Sequence, residues 1–158
     1  MSEKLANFAK NISFMEIVEI VAALPQRHIK ANIPILENGI AAGFPSPALD
    51  YMEKDTDLSE YLIKHPQATF IGRAKGDSMK DAFIPDGALL VIDKSIKATS
   101  GKIVVAVVNG EFTVKRLVQT PRSWVLPPEN PLYKPIPITE DMQFQVRGVV
   151  TKVLIDIK

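Results

Sequence analysis

The feature that constrains the fold most is a series of short β-rich runs separated by turn signals. Asn109-Gly110 lies between two such runs, Lys102–Val108 and Glu111–Val118, and this dipeptide is typical of a two-residue hairpin with a type I′ turn. The other predicted strands are Ala68–Lys75, Ala88–Asp93, Arg122–Leu126 and Gln143–Ile155. Several short strands with little helix predict a mainly β domain, built as a compact folded sheet or partly closed barrel.

Glycine and proline mark the irregular parts of this β domain. Gly148 interrupts the last and longest strand, which predicts a bulge or a bend there. Six of the 12 prolines lie between Pro121 and Pro137. Because proline cannot donate to a strand ladder, that span is predicted to be an irregular crossover.

Residues 1–42 differ from the rest and are predicted to form a helical and extended arm. Ser13 and Glu16 fit a capping box, and the apolar residues from Phe14 to Leu24 share one helical face, which predicts a short helix ending at Pro25. The segment Ile29–Leu36 is predicted to be extended, because Pro34 discourages helix. The apolar residues of this arm need a partner surface, either on the same chain or on another copy.

A second short helix is predicted over residues 57–65, after the arm. Asp57 can cap it, three apolar residues share one face, and Pro66 ends it. The charged residues just before it are expected to form a solvated surface: Asp50, Glu53, Lys54 and Asp55.

Composition excludes several classes of function. The chain has 158 residues with 19 Lys+Arg and 18 Asp+Glu, a formal charge of +1, so direct sequence-specific DNA binding through a basic face is not expected. Cysteine is absent and there are only two histidines, His28 and His65, so no metal site or cofactor is expected. Glu16 and Glu19 interrupt the most apolar N-terminal stretch, so a membrane segment or signal peptide is not expected, and the predicted location is cytoplasmic.

One tight turn carries a candidate nucleophile. Ser78 lies in the segment Gly76–Asp81, between the first two predicted strands of the β domain, where a turn can expose its hydroxyl and backbone N–H groups can bind an oxyanion. The alternative is structural, because Ser78 and Asp81 also match a helix-capping pattern.

A nucleophilic serine needs a base, and lysine is the choice that remains in this sequence. Lys115 is the candidate, since burial can lower the pKa of a lysine until its amine is neutral. Strand alternation puts Lys115 on the face of Glu111, Thr113 and Leu117, so periodicity does not show that it is buried. A solvated strand lysine therefore stays open as the alternative.

Four segments, in consistent order, resemble the self-cleaving peptidase family of LexA and UmuD. They are Gly76-Asp77-Ser78-Met79, Asp86–Asp93, Gly110–Leu117 and Gly148-Val149-Val150. The resemblance runs from about Ala41 to Ile155, and the segment Ala42–Pro47 is most similar to the cleavage region of the UmuD and MucA branch.

The resemblance implies a fold, a site and a set of partners. The fold is that of the LexA C-terminal domain. Ser78 is the implied nucleophile, Lys115 the general base, Ala42–Gly43 the scissile bond, and the backbone N–H groups of Ser78 and Met79 the oxyanion donors. Cleavage divides the chain into a regulatory arm, residues 1–42, and a peptidase and dimerisation domain, residues 43–158.

The implied role is that of an SOS mutagenesis protein. In this role a RecA filament on single-stranded DNA stimulates self-cleavage, and the cleaved homodimer joins a UmuC-like Y-family DNA polymerase as an accessory subunit in error-prone translesion synthesis.

Two other functions stay open at this point. One is a non-catalytic β-barrel module for dimerisation or adaptor binding, with Ser78 as a cap and Lys115 as a surface charge. The other is a fragment of a LexA-like repressor. The repressor is disfavoured because residues 1–42 carry four basic and four acidic residues and hold one good helix, whereas a helix-turn-helix domain needs about three helices and a basic face.

Overall fold

A computed structural model describes residues 18–23, 32–36, 40, 42–43 and 53–158 of the chain. The chain divides into two compact units: Met1–Leu24 together with His65–Lys158, and Pro25–Lys64. Along the chain the strands are β1 (Val18–Ala23), β2 (Asn32–Leu36), β3 (Glu53–Asp57), β4 (Thr69–Ala74), β5 (Leu89–Asp93), β6 (Ile103–Val108), β7 (Glu111–Arg116), β8 (Val118–Gln119), β9 (Trp124–Leu126), β10 (Ile136–Pro137) and β11 (Phe144–Leu154). A helix α1 spans Leu58–Leu62, and 3-10 turns span Pro66–Ala68 and Lys80–Ala82.

The larger unit is built on a six-stranded antiparallel sheet in the order β1-β4-β5-β11-β6-β7. Its two outer strands, β1 and β7, contact each other, so the sheet curls towards a partly closed barrel. The predicted mainly β architecture is therefore confirmed.

The predicted hairpin joins β6 to β7. Val108 pairs with Glu111, and Asn109 and Gly110 both have positive φ, at 49° and 85°. These are the backbone angles that the two-residue turn requires and that Asn and Gly adopt most readily. The predicted irregularity at Gly148 is also present, because the pairing of β11 with β6 shifts between Val146 and Gly148.

The predicted helix before Pro25 is wrong where the structure describes it. Val18–Ala23 form β1, which pairs antiparallel with β4, from Val18 opposite Ala74 to Ala23 opposite Phe70. The β-branched residues Val18, Ile20 and Val21 favour a strand once an open strand edge is available. The capping-box residues of that prediction lie outside the described residues.

Two apolar clusters form the core of the larger unit. The first includes Ile84, Leu90, Ile92 and Val105, and the second includes Val104, Ala106, Leu126 and Val149. Trp124 packs against the second cluster. Since neighbours on β6 belong to different clusters, this central strand is covered on both faces.

The proline-rich span is more regular than predicted. It contains β9 and β10, which join β8 in a small sheet of order β10-β9-β8. Pro137 takes part as the end of the edge strand β10, a position where the missing N–H is tolerated.

The second unit holds a two-stranded sheet and a short helix. The extended conformation predicted for Ile29–Leu36 is confirmed for Asn32–Leu36, which form β2, and β2 pairs with β3. The predicted cap is also confirmed, because the Asp57 carboxylate accepts a hydrogen bond from the Ser59 N–H at 2.9 Å. The strand β3 was not expected, since its sequence Glu-Lys-Asp-Thr-Asp has low strand propensity.

Candidate active site

Ser78 lies in the turn between β4 and the 3-10 turn Lys80–Ala82. Gly76, with a φ of 80°, reverses the chain after β4, and its N–H donates to the Asp86 carboxylate at 2.6 Å. Next to Ser78, Met79 is buried in the first core cluster. The turn is therefore held on both sides of the serine, by this hydrogen bond and by the packing of Met79.

Lys115 is buried near the end of β7, with 7% of its surface exposed. Its Nζ donates to the backbone carbonyl of Val114 at 3.0 Å. Burial lowers the pKa of Lys115 from its ordinary value of 10.5, because the charged amine loses hydration that this hydrogen bond does not replace. The environment of Lys115 favours the neutral amine.

The fold brings Ser78 and Lys115 together although 37 positions separate them in sequence. Lys115 Nζ and Ser78 Oγ lie 2.7 Å apart, within hydrogen-bond distance. This is the arrangement in which a neutral amine can accept the proton of a nucleophilic hydroxyl.

The structural alternatives for the two residues do not fit this geometry. The residue at the N-cap of the 3-10 turn is Met79, and this turn has no side-chain cap hydrogen bond, so Ser78 does not act as the predicted cap. Lys115 is not a surface charge, because four consecutive residues of β7, from Phe112 to Lys115, are all buried. Alternation missed this burial because both faces of the strand are covered there.

Backbone N–H groups are available beside the Ser78 hydroxyl. Within the part of the chain that the structure describes, no hydrogen-bond acceptor engages the N–H groups of Ser78 and Met79. These two groups lie in successive peptide units at the proposed nucleophile, where a carbonyl oxygen that develops negative charge would need donors.

Ala42 and Gly43, the predicted scissile pair, belong to the second unit. Both are exposed and lie in a bend, and a Cβ added at Gly43 would have no described residue within 4 Å. The residues that follow, 44–47, lie outside the described residues. Both residues of the predicted scissile pair are thus accessible to solvent.

A loop that the sequence did not single out contacts the Ser78 turn. The Glu129 N–H donates to the Ser78 carbonyl at 2.9 Å, and the Asp81 N–H donates to the Glu129 carbonyl, also at 2.9 Å. The Asn130 side chain donates to the Asp77 carbonyl at 3.0 Å. The sequence predicted only an irregular crossover for this span, and it contains no local signal for contacts between residues about 50 positions apart.

Among the helices of the described residues, none is both long enough and apolar enough to span a membrane.

The chain is similar to known proteins over most of its length. A family model described as Peptidase S24-like matches residues 34–151. The chain is 45% identical to Protein SamA of Salmonella typhimurium over 132 residues, which are 84% of this chain and 91% of SamA. It is 44% identical to Protein MucA of Escherichia coli over 127 residues, 79% of this chain and 86% of MucA. It is 38% identical to the LexA repressor of Alcanivorax borkumensis over 117 residues, 74% of this chain and 56% of the repressor.

Proposed function

Since this chain belongs to the Peptidase S24-like family, on the UmuD/MucA-type branch of the LexA-like self-cleaving peptidases, we propose that it cleaves its own backbone between Ala42 and Gly43. Ser78 is the nucleophile and Lys115 is the general base. The proposed products are an arm of 42 residues and a core of the remaining 116 of the 158 residues.

The observation that carries the proposal is the buried contact between Lys115 Nζ and Ser78 Oγ at 2.7 Å. A solvated lysine is protonated at neutral pH and cannot take a proton. The lowered pKa of Lys115, caused by its burial, makes the neutral amine accessible at lower pH. One N–H of that amine donates to the Val114 carbonyl, which leaves the nitrogen lone pair for the Ser78 hydroxyl.

The reaction follows from these positions. Ser78 Oγ attacks the Ala42 carbonyl carbon while its proton passes to Lys115 Nζ, and the N–H groups of Ser78 and Met79 stabilise the oxyanion. The intermediate collapses, the carbon–nitrogen bond to Gly43 breaks, and Lys115 returns the proton to the leaving amine. An ester between Ser78 and Ala42 remains.

Hydrolysis of this ester completes the cycle. Lys115 takes a proton from a water molecule, which attacks the ester, and the Ser78 hydroxyl is restored as the carboxylate of Ala42 leaves. These steps use only side chains, backbone groups and one water. The substrate is part of the same chain or of a dimer partner, so its effective concentration at Ser78 is high without a dedicated substrate pocket.

The proposal includes the biological setting that the family resemblance implies. A RecA filament on single-stranded DNA acts as the trigger, by favouring the conformer that has the scissile bond at Ser78 or by favouring the neutral amine. The cleaved form acts as a homodimer that joins a UmuC-like Y-family polymerase in SOS mutagenesis. The relatedness to SamA and MucA over most of their length supports this role.

Incubation of the purified protein at pH 10 tests the proposal directly. We expect two fragments whose masses match cleavage after Ala42, formed faster as pH rises, because the neutral form of Lys115 is the active one. Mass spectrometry of samples taken between pH 7 and pH 10 measures both the site and the rate.

Two matched variants provide the controls. Ser78→Ala and Lys115→Ala should each leave the chain intact at every pH, whereas Ser95→Ala and Lys102→Ala, at exposed positions, should cleave as the unsubstituted protein does. An intact wild-type chain at pH 10, or breaks at many unrelated bonds, would favour the non-catalytic adaptor instead.

A further inference from the structure

The loop at Glu129-Asn130 contacts the Ser78 turn through groups that the mechanism above does not use. Asn130 is one of the few buried polar residues of the described chain, with 2% of its surface exposed. Its Nδ2 donates to the Asp77 carbonyl at 3.0 Å, and its Oδ1 accepts from the Leu132 N–H at 3.0 Å. Burial of an amide is costly unless its donors and acceptors are paired, so this side chain is held in one orientation.

The carbonyls held by this loop belong to the two peptide groups that carry the proposed oxyanion donors. The Asp77 carbonyl shares its peptide unit with the Ser78 N–H, and the Ser78 carbonyl shares its unit with the Met79 N–H. Asn130 Nδ2 holds the first carbonyl, and the Glu129 N–H holds the second.

Because a peptide unit is planar, a contact that fixes its carbonyl also fixes the direction of its N–H. The described residues contain no cis peptide bond, and in a planar trans peptide the carbonyl and the N–H point in opposite directions. A donor that fixes the carbonyl from the loop side therefore turns the N–H to the other side. Hydrogen bonding at the carbonyl also polarises the peptide, which strengthens its N–H as a donor.

We propose that Asn130 is a positioning residue for self-cleavage, which orients the Asp77–Ser78 peptide so that the Ser78 N–H faces the oxyanion. The backbone N–H of Glu129 does the same for the Ser78–Met79 peptide. Asn130 touches neither the substrate nor the reacting atoms, and it acts through the Asp77 carbonyl. This inference rests on the proposed function.

The same loop is also tied to the strand that carries the base. The Glu129 carboxylate accepts a hydrogen bond from Arg116 Nε, and Arg116 also donates to the Gly101 carbonyl at 2.7 Å. Arg116 follows Lys115 directly in β7. One short segment thus connects the Ser78 turn to the strand of Lys115, so the oxyanion donors keep their position relative to the base.

The test is the variant Asn130→Asp, with self-cleavage measured across pH 7 to 10. The carboxylate keeps an acceptor for the Leu132 N–H but has no donor for the Asp77 carbonyl. Because loss of one oxyanion donor lowers a rate by about 100- to 1000-fold, we expect a fall of up to that size in the maximum rate. The new carboxylate near Lys115 favours the charged amine, so the midpoint of the pH profile is expected to move to higher pH, and the rates are therefore compared at their high-pH maximum.

A purely structural role for Asn130 predicts a different outcome. The melting temperature would fall, while the folded fraction would cleave at the wild-type maximum rate, and that result would overturn the inference. Asn109→Asp is the matched control, since it makes the same chemical change in the β6–β7 turn, where Asn109 Oδ1 accepts from the Gln143 N–H. Its cleavage rate should equal that of the wild type.

If Asn130→Asp does not fold, Asn130→Ser replaces it. A serine hydroxyl can still accept from the N–H two residues on, but it is too short to reach the Asp77 carbonyl, so the same two outcomes apply. Failure of the inference is distinguishable from failure of the proposed function. In the first case the wild type and Asn130→Asp cleave equally, and in the second the wild type does not cleave after Ala42.

Discussion

At the scale of single residues, Lys115 is buried among groups that replace only part of the hydration its charged amine would have in water. Among the residues that the structure describes, its hydrogen-bond partners are one carbonyl and one hydroxyl, and neither belongs to a carboxylate. A protonated amine in this position destabilises the fold, whereas a neutral amine does not. The burial that the proposed mechanism relies on therefore also makes the stability of the protein depend on pH.

The sign of this dependence can be derived from the pKa. The pKa of Lys115 is lowered by burial in the folded state and has its ordinary value of 10.5 in the unfolded chain. Between these two values the unfolded chain binds more protons than the folded one, so stability rises with pH in that window. Below the window both states are protonated, and the full cost of the buried charge remains.

We therefore expect Lys115→Met to raise the melting temperature at pH 7. The rise should be about 2–4 °C for each kcal/mol by which removal of the buried charge increases the free energy of unfolding. The gain should shrink as pH approaches 10.5, because the wild-type amine then becomes neutral. Thermal denaturation measures the gain at pH 7 and its decrease at higher pH, and a Ser78→Ala background prevents cleavage during the measurement. Lys102→Met, at an exposed position, is the control, and an unchanged gain at high pH would show that Lys115 is not desolvated.

At the scale of elements, the longest strand, β11, is shaped by a close approach at Gly148. A Cβ added there would lie 2.6 Å from Ile92 Cγ2 and 3.1 Å from the backbone oxygen of Asp93. The pairing of β11 with β6 also shifts next to this glycine. Gly148 therefore permits both the close contact with β5 and the bend that lets the sheet curl.

Gly148→Ala is expected to destabilise the protein by about 1–3 kcal/mol, the usual cost of forcing extra volume into a packed interior. This cost exceeds the stabilisation of about 0.4–1 kcal/mol that alanine contributes by restricting the unfolded chain. Urea denaturation measures the change. Gln145→Ala, exposed on the same strand, should change stability by about 0.5 kcal/mol or less, and equal effects for the two variants would contradict this view of β11.

At the scale of the whole molecule, the proposed cleavage would cut the chain between β1 and the rest of its own sheet. β1 belongs to the predicted arm, yet it pairs with β4 at the outer position of the six-stranded sheet. For this segment the partner surface lies on the same chain. Before cleavage the pairing is intramolecular. Afterwards it is a bimolecular contact, because no linker keeps the effective concentration of β1 at β4 high.

We expect the 42-residue product to remain bound to the core at high protein concentration and to dissociate on dilution, because a six-residue strand supplies little binding energy alone. Size-exclusion chromatography of cleaved protein over a dilution series measures the dissociation. Amide hydrogen exchange in β4 should rise as the arm leaves, whereas exchange in β5, which stays paired with β11, should not. An arm that separates at every concentration would contradict a stable β1–β4 pairing.

The sequence alone predicted the features that depend on neighbours along the chain. The strands β2, β4, β5, β6, β7, β9 and β11 follow from local propensity, and the Asn109-Gly110 hairpin, the Asp57 cap and the irregularity at Gly148 follow from local backbone geometry. Local pattern offered Ser78 and Lys115 as candidates and the family resemblance implied their roles, but neither showed that the two side chains meet.

Only the tertiary structure decided the features that depend on contacts between distant parts of the chain. The burial of Lys115 follows from cover on both faces of β7, which alternation along one strand does not reveal. The residues Val18–Ala23 form a strand because β4 offers an open edge for pairing. This pairing outweighs the helical pattern of their apolar residues. Asn130 meets the Ser78 turn across 53 positions, and no local pattern encodes such a contact, because the hydrogen bond exists only after the chain has folded.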